Sequence, residues 1–92
     1  MEHKMPVTIS RFFGIIISMY YNDPNPPPHF YVHYEKQKAV IDIQTLSILG
    51  GKLTPRVHGL VIEWASQYQT HLFKNWELSL QNAPLEKIKP LE

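Results

Sequence analysis

Apolar and polar residues alternate with two different periods along this chain, and the change falls near residue 54. Before it, β-branched and aromatic residues dominate Val7 to Arg11 and Ile15 to Tyr21, the composition of strands. Gly14 between them predicts a bulge or a tight bend. Ile15, Ile17, Met19 and Tyr21 alternate with Ile16, Ser18 and Tyr20, which predicts a strand buried on both faces for part of its length, hence central. His29 to Tyr34 alternates cleanly: Phe30, Val32 and Tyr34 point one way, His29, Tyr31 and His33 the other. Ala39 to Ile43 repeats the pattern after the polar stretch Glu35-Lys36-Gln37-Lys38. Pairing Glu35 with Lys38 predicts Tyr34 opposite Ala39, Val32 opposite Ile41 and Phe30 opposite Ile43. The same register sets Tyr31 opposite Asp42, with His29 and His33 as its diagonal neighbours. Thr45 to Leu49 predicts a further short strand, closed by a turn at Gly50-Gly51.

From Thr54 onward the period is helical. Thr54 suits an N-cap and Pro55 the first helical position. Val57, Leu60, Val61, Trp64, Ala65, Tyr68 and Leu72 recur on one face, leaving Arg56, Glu63, Gln67 and Thr70 outward, and Phe73, Trp76 and Leu80 extend the stripe. A single helix over 55–81 would run roughly 40 Å at 1.5 Å per residue, too long for so small a domain. A break or sharp kink is therefore predicted near Thr70 to Phe73. Gly59 inside the helix predicts close packing against the sheet. After Asn82-Ala83-Pro84, Leu85, Ile88 and Leu91 can fold back on the core, or the tail can offer an edge to a partner. The predicted fold class is α+β: a three- to four-stranded antiparallel meander with one or two C-terminal helices packed on one face. Residues 1–5 are read as a flexible lead and 6–92 as a single domain.

Composition narrows the functional classes. Ninety-two residues bury only about two-thirds of their unfolded surface, so the stability margin is thin. A hydrophobic fraction of 43% and a charged fraction of 18% describe an ordinary folded globule. No apolar run approaches the roughly 20 residues that cross a bilayer, and no signal-peptide pattern opens the chain. With no cysteine, disulfides and thiolate metal cages are excluded, and a cytoplasmic location is expected. A net charge of +1 rules out a broad electrostatic grip on nucleic acid, so any RNA contact must be local.

The densest chemistry lies between Asn22 and Asp42. Asn22-Asp23-Pro24-Asn25-Pro26-Pro27-Pro28 can be neither helix nor interior strand, because each proline lacks a donor and pushes its predecessor toward extended geometry. It reads as a semi-rigid rim, either a plain stiff connector or the lip of a pocket. Beyond it, His29, Tyr31 and His33 share a face with Asp42. Histidine titrates near neutrality and a neighbouring carboxylate can orient its ring, so these four are the catalytic candidates for acid–base chemistry such as metal-independent RNA cleavage. A solvated outer sheet face carries the same residue types without any such role. Arg11, Asp23, Pro28 and Lys38 are the flanking binding candidates. The basic residues Arg11, Lys36, Lys38, Lys52 and Arg56 are too scattered in sequence to define a patch. No metal site is expected: His29 and His33 lie roughly 13 Å apart along a strand, too far to share one ion. His58 and His71 have no ligand spacing, and no phosphate-binding loop or cofactor motif is present.

Met5 to Gly14, Asn25 to Tyr34, Ala39 to Ile43, Gly51-Lys52-Leu53, and Trp64 through Asn75-Trp76-Glu77-Leu78 together resemble a prokaryotic family of about this length, domain-of-unknown-function family 4160. The signature of that family, Pro-His-Phe-His-Val, reads here as Pro28-His29-Phe30-Tyr31-Val32, so Tyr31 replaces a histidine and removes a good metal ligand. The resemblance implies one member of a paired, toxin–antitoxin-like module, with a small protein partner or a second copy. The first expectation is an RNA-targeting, toxin-like half. The alternatives are a non-catalytic protein-binding or regulatory partner, and a small-ligand or metal binder at the proline rim.

Overall fold

The computed structural model describes residues 5–23 and 25–92. The predicted flexible lead, apart from Met5, lies outside the described residues, as does Pro24. Five strands, β1 (Val7–Phe12), β2 (Ile15–Met19), β3 (His29–Tyr34), β4 (Gln37–Asp42) and β5 (Ile48–Lys52), precede two helices, α1 (Pro55–Gln67) and α2 (Gln69–Leu80). The strands form one antiparallel sheet in the order β1-β2-β3-β4-β5. The architecture is therefore the expected α+β meander with one strand more than predicted.

The extra strand arises at two tight connections. Phe13 and Gly14 form a two-residue turn with φ of 52° and 81°, so Phe12 pairs with Ile15 and the first segment is a full strand. Positive φ at both central positions is the signature of the hairpin turn whose twist matches that of the strands. At the other end, Gly50-Gly51 is no turn but part of β5, which is displaced by a bulge at Leu49 between the Val40–Gly50 and Ile41–Ile48 pairs. The turn before it is built by Asp42, whose Oδ1 accepts from the backbone amides of Gln44 at 2.7 Å and Thr45 at 3.1 Å. Gly51 sits at φ 81°, and a β-carbon there would collide with the Lys38 carbonyl oxygen, so only glycine fits.

The β3–β4 register differs from the expected one by two residues. Tyr34 pairs with Gln37, Val32 with Ala39, Phe30 with Ile41 and His29 with Asp42. The turn is Glu35-Lys36, with Glu35 at φ 52°. A shift of two keeps every side chain on its expected face, so the apolar pattern is satisfied by both registers, and the tighter turn selects one.

The inner face carries Ile9, Phe12, Ile15, Ile17, Phe30, Val32, Ala39 and Ile41 against Val57, Val61, Trp64, Ala65 and Leu72 of the helices. Trp64 is fully buried between Phe12 and Phe30, with ring centroids 5.4 and 6.0 Å away. The helices part at Tyr68 (φ −128°, ψ 23°), two residues before the predicted break. Thr54 and Pro55 occupy the predicted start, although the Thr54 hydroxyl makes no cap bond. Gly59 is exposed with open space around it, so its packing role is overturned. The tail folds back: Ile88 and Leu91 are buried, Ile88 N donates to Ile9 O at 2.8 Å, and Trp64 Nε1 donates to Lys89 O at 2.7 Å. That covers the outer edge of β1 and leaves β5 as the open edge.

Candidate functional site

β3 leaves the proline loop at His29, and the loop is latched onto that residue. His29 Nε2 lies 2.9 Å from Asp23 Oδ2, and Nδ1 lies 2.8 Å from the carbonyl oxygen of Pro27. The Tyr31 hydroxyl donates to the same Asp23 oxygen at 3.0 Å. The far side of the imidazole packs on Trp76 of α2, ring centroids 4.9 Å apart, and His29 is only 6% exposed. Farther along, the Asn22 amide donates to Ser79 O and the Tyr21 hydroxyl to Ala83 O, which tie the loop and the end of α2 together.

Electrostatics follow this geometry. Burial by itself would raise the Asp23 carboxyl, but hydrogen bonds from His29 and Tyr31, the charge of His29 and a backbone amide of Asn25 outweigh it and hold the group below its ordinary 3.8. For Tyr31, burial, the hydrogen bond to Asp23, the Asp23 charge and nearby Tyr20 all act one way and push the phenol to about 12. With Asp23 ionised, the Tyr31 hydroxyl donates to it, and both ring nitrogens of His29 lie within hydrogen-bond distance of an oxygen, one on Asp23 and one on Pro27. Every polar atom of the imidazole is thus engaged inside the protein.

The predicted site is therefore divided. His29 and Tyr31 do meet a carboxylate, but it is Asp23 from the loop, placed among the binding candidates, and not Asp42. Asp42 stands opposite His29 in the register, yet its Oδ1 serves the turn after β4. His33 lies apart from both, exposed, with Nε2 2.9 Å from Glu35 O. Pro28 is a backbone partner, its carbonyl accepting from Ile43 N at 3.0 Å.

The face away from the helices is open. A direct cross-strand row runs Arg11–Ile16–His33–Lys38–Lys52, and side chains opposite one another in antiparallel strands share a face. Four strand gaps of about 4.8 Å make the row roughly 19 Å long. The next row runs Thr8–Ser18–Tyr31–Val40–Gly50. Between them lies a groove of about 430 Å³, lined by Ser18, Tyr20, Tyr31, His33, Lys38 and Gly50 among others. Tyr20 packs edge-on to Tyr31 with centroids 4.8 Å apart. Among the described residues no ion pair involves Arg11, Lys38 or Lys52; the pairs are Asp23 with His29, and Glu86 with Lys74 and His71. Cations scattered in sequence are thus gathered by the meander. Tyr20 was not among the predicted site residues, although its alternation with Ile16 and Ser18 placed it on this face.

A five-stranded antiparallel meander backed by two C-terminal helices, with a latched proline loop at one end, defines a small α+β protein with one open sheet face. Residues 14–77, well over half of the chain, match the family described as domain of unknown function (DUF4160), and the chain belongs to that family. No curated protein and no solved structure gives a match. Among the described residues no helix is long and apolar enough to cross a membrane.

Proposed function

We propose that this protein is the RNA-contacting half of a paired module, and that it holds RNA on the open sheet face without cleaving it. The observation that carries this reading is the row of Arg11, His33, Lys38 and Lys52 beside two tyrosines, with none of the three full cations paired among the described residues. Like charges set directly across a strand pair oppose folding, and an anionic ligand removes that cost. Open antiparallel sheets with aromatic residues on one face are a recurrent way of stacking bases, an analogy of architecture that the charge row makes specific. Binding is favoured over acid–base cleavage because His29 is 6% exposed and has both ring nitrogens occupied. The pairing with a second small protein rests on the family resemblance, and the cytoplasm is the compartment this reading requires.

The test is crosslinking of the purified protein to end-labelled RNA. Intact, retained RNA, lost in a Lys38→Gln/Lys52→Gln variant, is the expected result. Cleaved RNA whose cleavage stops in His29→Ala would return the acid–base reading, and RNA that is neither retained nor cleaved would remove both.

A further inference from the structure

The groove has a division of labour that names its ligand more closely. The charged row His33–Lys38–Lys52 and the apolar row Tyr31–Val40–Gly50 run side by side, two residues apart along each strand, or about 7 Å. One row suits phosphate and the other suits a flat, weakly polar surface. Tyr31 is pre-organised to offer such a surface, because its hydroxyl is tied to Asp23 and its ring is wedged against Tyr20, so little freedom remains to be lost on binding. At the far end of that row Gly50 contributes no side chain, and a β-carbon placed there would meet nothing within 4 Å, so the floor is open. The groove volume of about 430 Å³ falls within the roughly 300–1,000 Å³ of sites that hold small ligands.

Resting on the RNA reading above, we infer that this groove takes a single-stranded segment, with a backbone phosphate on His33, Lys38 and Lys52 and an unstacked base over Tyr20, Tyr31, Val40 and Gly50. A duplex cannot use the apolar row, since its bases are already stacked on one another and its accessible groove displays edges and sugars. Duplex readers also meet phosphates on both sides of a groove, whereas this face holds its cations in a single row. A single strand satisfies both rows with one nucleotide step, because every base has a π-face and every step has a phosphate.

Fluorescence anisotropy decides this with a labelled ten-nucleotide RNA, its blunt duplex, and a DNA strand of the same sequence. The single-stranded RNA should bind at least tenfold more tightly than the duplex. Gly50→Leu, which fills the floor from an unobstructed backbone position, should keep the melting temperature but weaken single-strand binding about tenfold, with the salt slope unchanged. Lys38→Gln/Lys52→Gln should instead flatten that slope by about 0.7, the value for the one phosphate that the two lysines hold together. Duplex binding as tight as single-strand binding overturns the inference while the RNA reading stands, and so does a Gly50→Leu protein that binds like the wild type. DNA binding more tightly than RNA overturns the choice of RNA. Binding of neither RNA form overturns the parent reading itself.

Discussion

Lys38 and Lys52 stand directly opposite one another on β4 and β5, and neither has an acidic partner among the described residues. A directly opposed like-charge pair destabilises a sheet by about 0.2–1 kcal/mol. Stability and binding therefore pull in opposite directions at this pair. Lys52→Glu should raise the melting temperature by a few degrees, since about 1 kcal/mol moves a domain of this size by about 4–8 °C. The same substitution should abolish retention of RNA. A variant that is destabilised, or that binds as before, would remove the row from the function.

The loop latch should be visible in acid. Asp23 titrates below its ordinary 3.8 in the folded protein, so the unfolded state takes up its proton first as pH falls. The stabilisation from this group is complete well above 3.8 and is lost as pH drops through the lower, folded value. Urea midpoints measured downward from neutral pH should fall there, and Asp23→Asn should lack that segment of the decline. At neutral pH, where His29 would lose its charged acceptor, Asp23→Asn should cost about 1–3 kcal/mol.

Tyr31 reports the same latch from the alkaline side. Its phenol is raised to about 12, so the unfolded chain ionises first, and the Tyr31 contribution to stability declines from about pH 10 and is gone above about 12. In phenolate absorbance, one of the five tyrosines should titrate near 12. Asp23→Asn should draw it back toward 10, because the hydrogen bond to the carboxylate and its charge are then gone.

Two glycines have opposite expectations. Gly59 is exposed in α1 with nothing near its missing side chain, so Gly59→Ala should stabilise the protein by about 1 kcal/mol in chemical denaturation. Gly51 is at φ 81° against the Lys38 carbonyl, so Gly51→Ala should cost more than about 1–2 kcal/mol and loosen the β4–β5 pairing. Equal effects at the two sites would contradict the strand assignment of Gly51.

The tail is a structural element in its own right. Asn75 grips it through two bonds, Nδ2 to Glu86 O at 2.9 Å and Glu86 N to Oδ1 at 2.8 Å, and Asn75 is fully buried. Asn75→Ala leaves both backbone groups unpaired and should destabilise by about 2 kcal/mol or more. Hydrogen exchange should then rise at Ile88, whose amide bonds Ile9, before it rises in β3.

Periodicity by itself determined much of this molecule: a strand half followed by a helical half, the inward set Phe30, Val32 and Ile41, the outward pair Tyr31 and His33, the buried tryptophans, and the start of α1 at Thr54; His29, expected outward with them, is instead buried with its ring on Trp76 of α2. These follow from the spacing of apolar residues, which is a one-dimensional property. Tertiary structure alone decided the rest. Parity cannot separate registers that differ by two, so only the Glu35-Lys36 turn placed Asp42 opposite His29. Asp42 was then claimed by its own turn, and Asp23 reached His29 because the proline loop folds back over the end of β3. Lys38 and Lys52, fourteen residues apart in sequence, became neighbours only through a bulged β5 that looked like a turn. Pairing across strands is set by turn geometry and long-range packing, and no local pattern of residues encodes it.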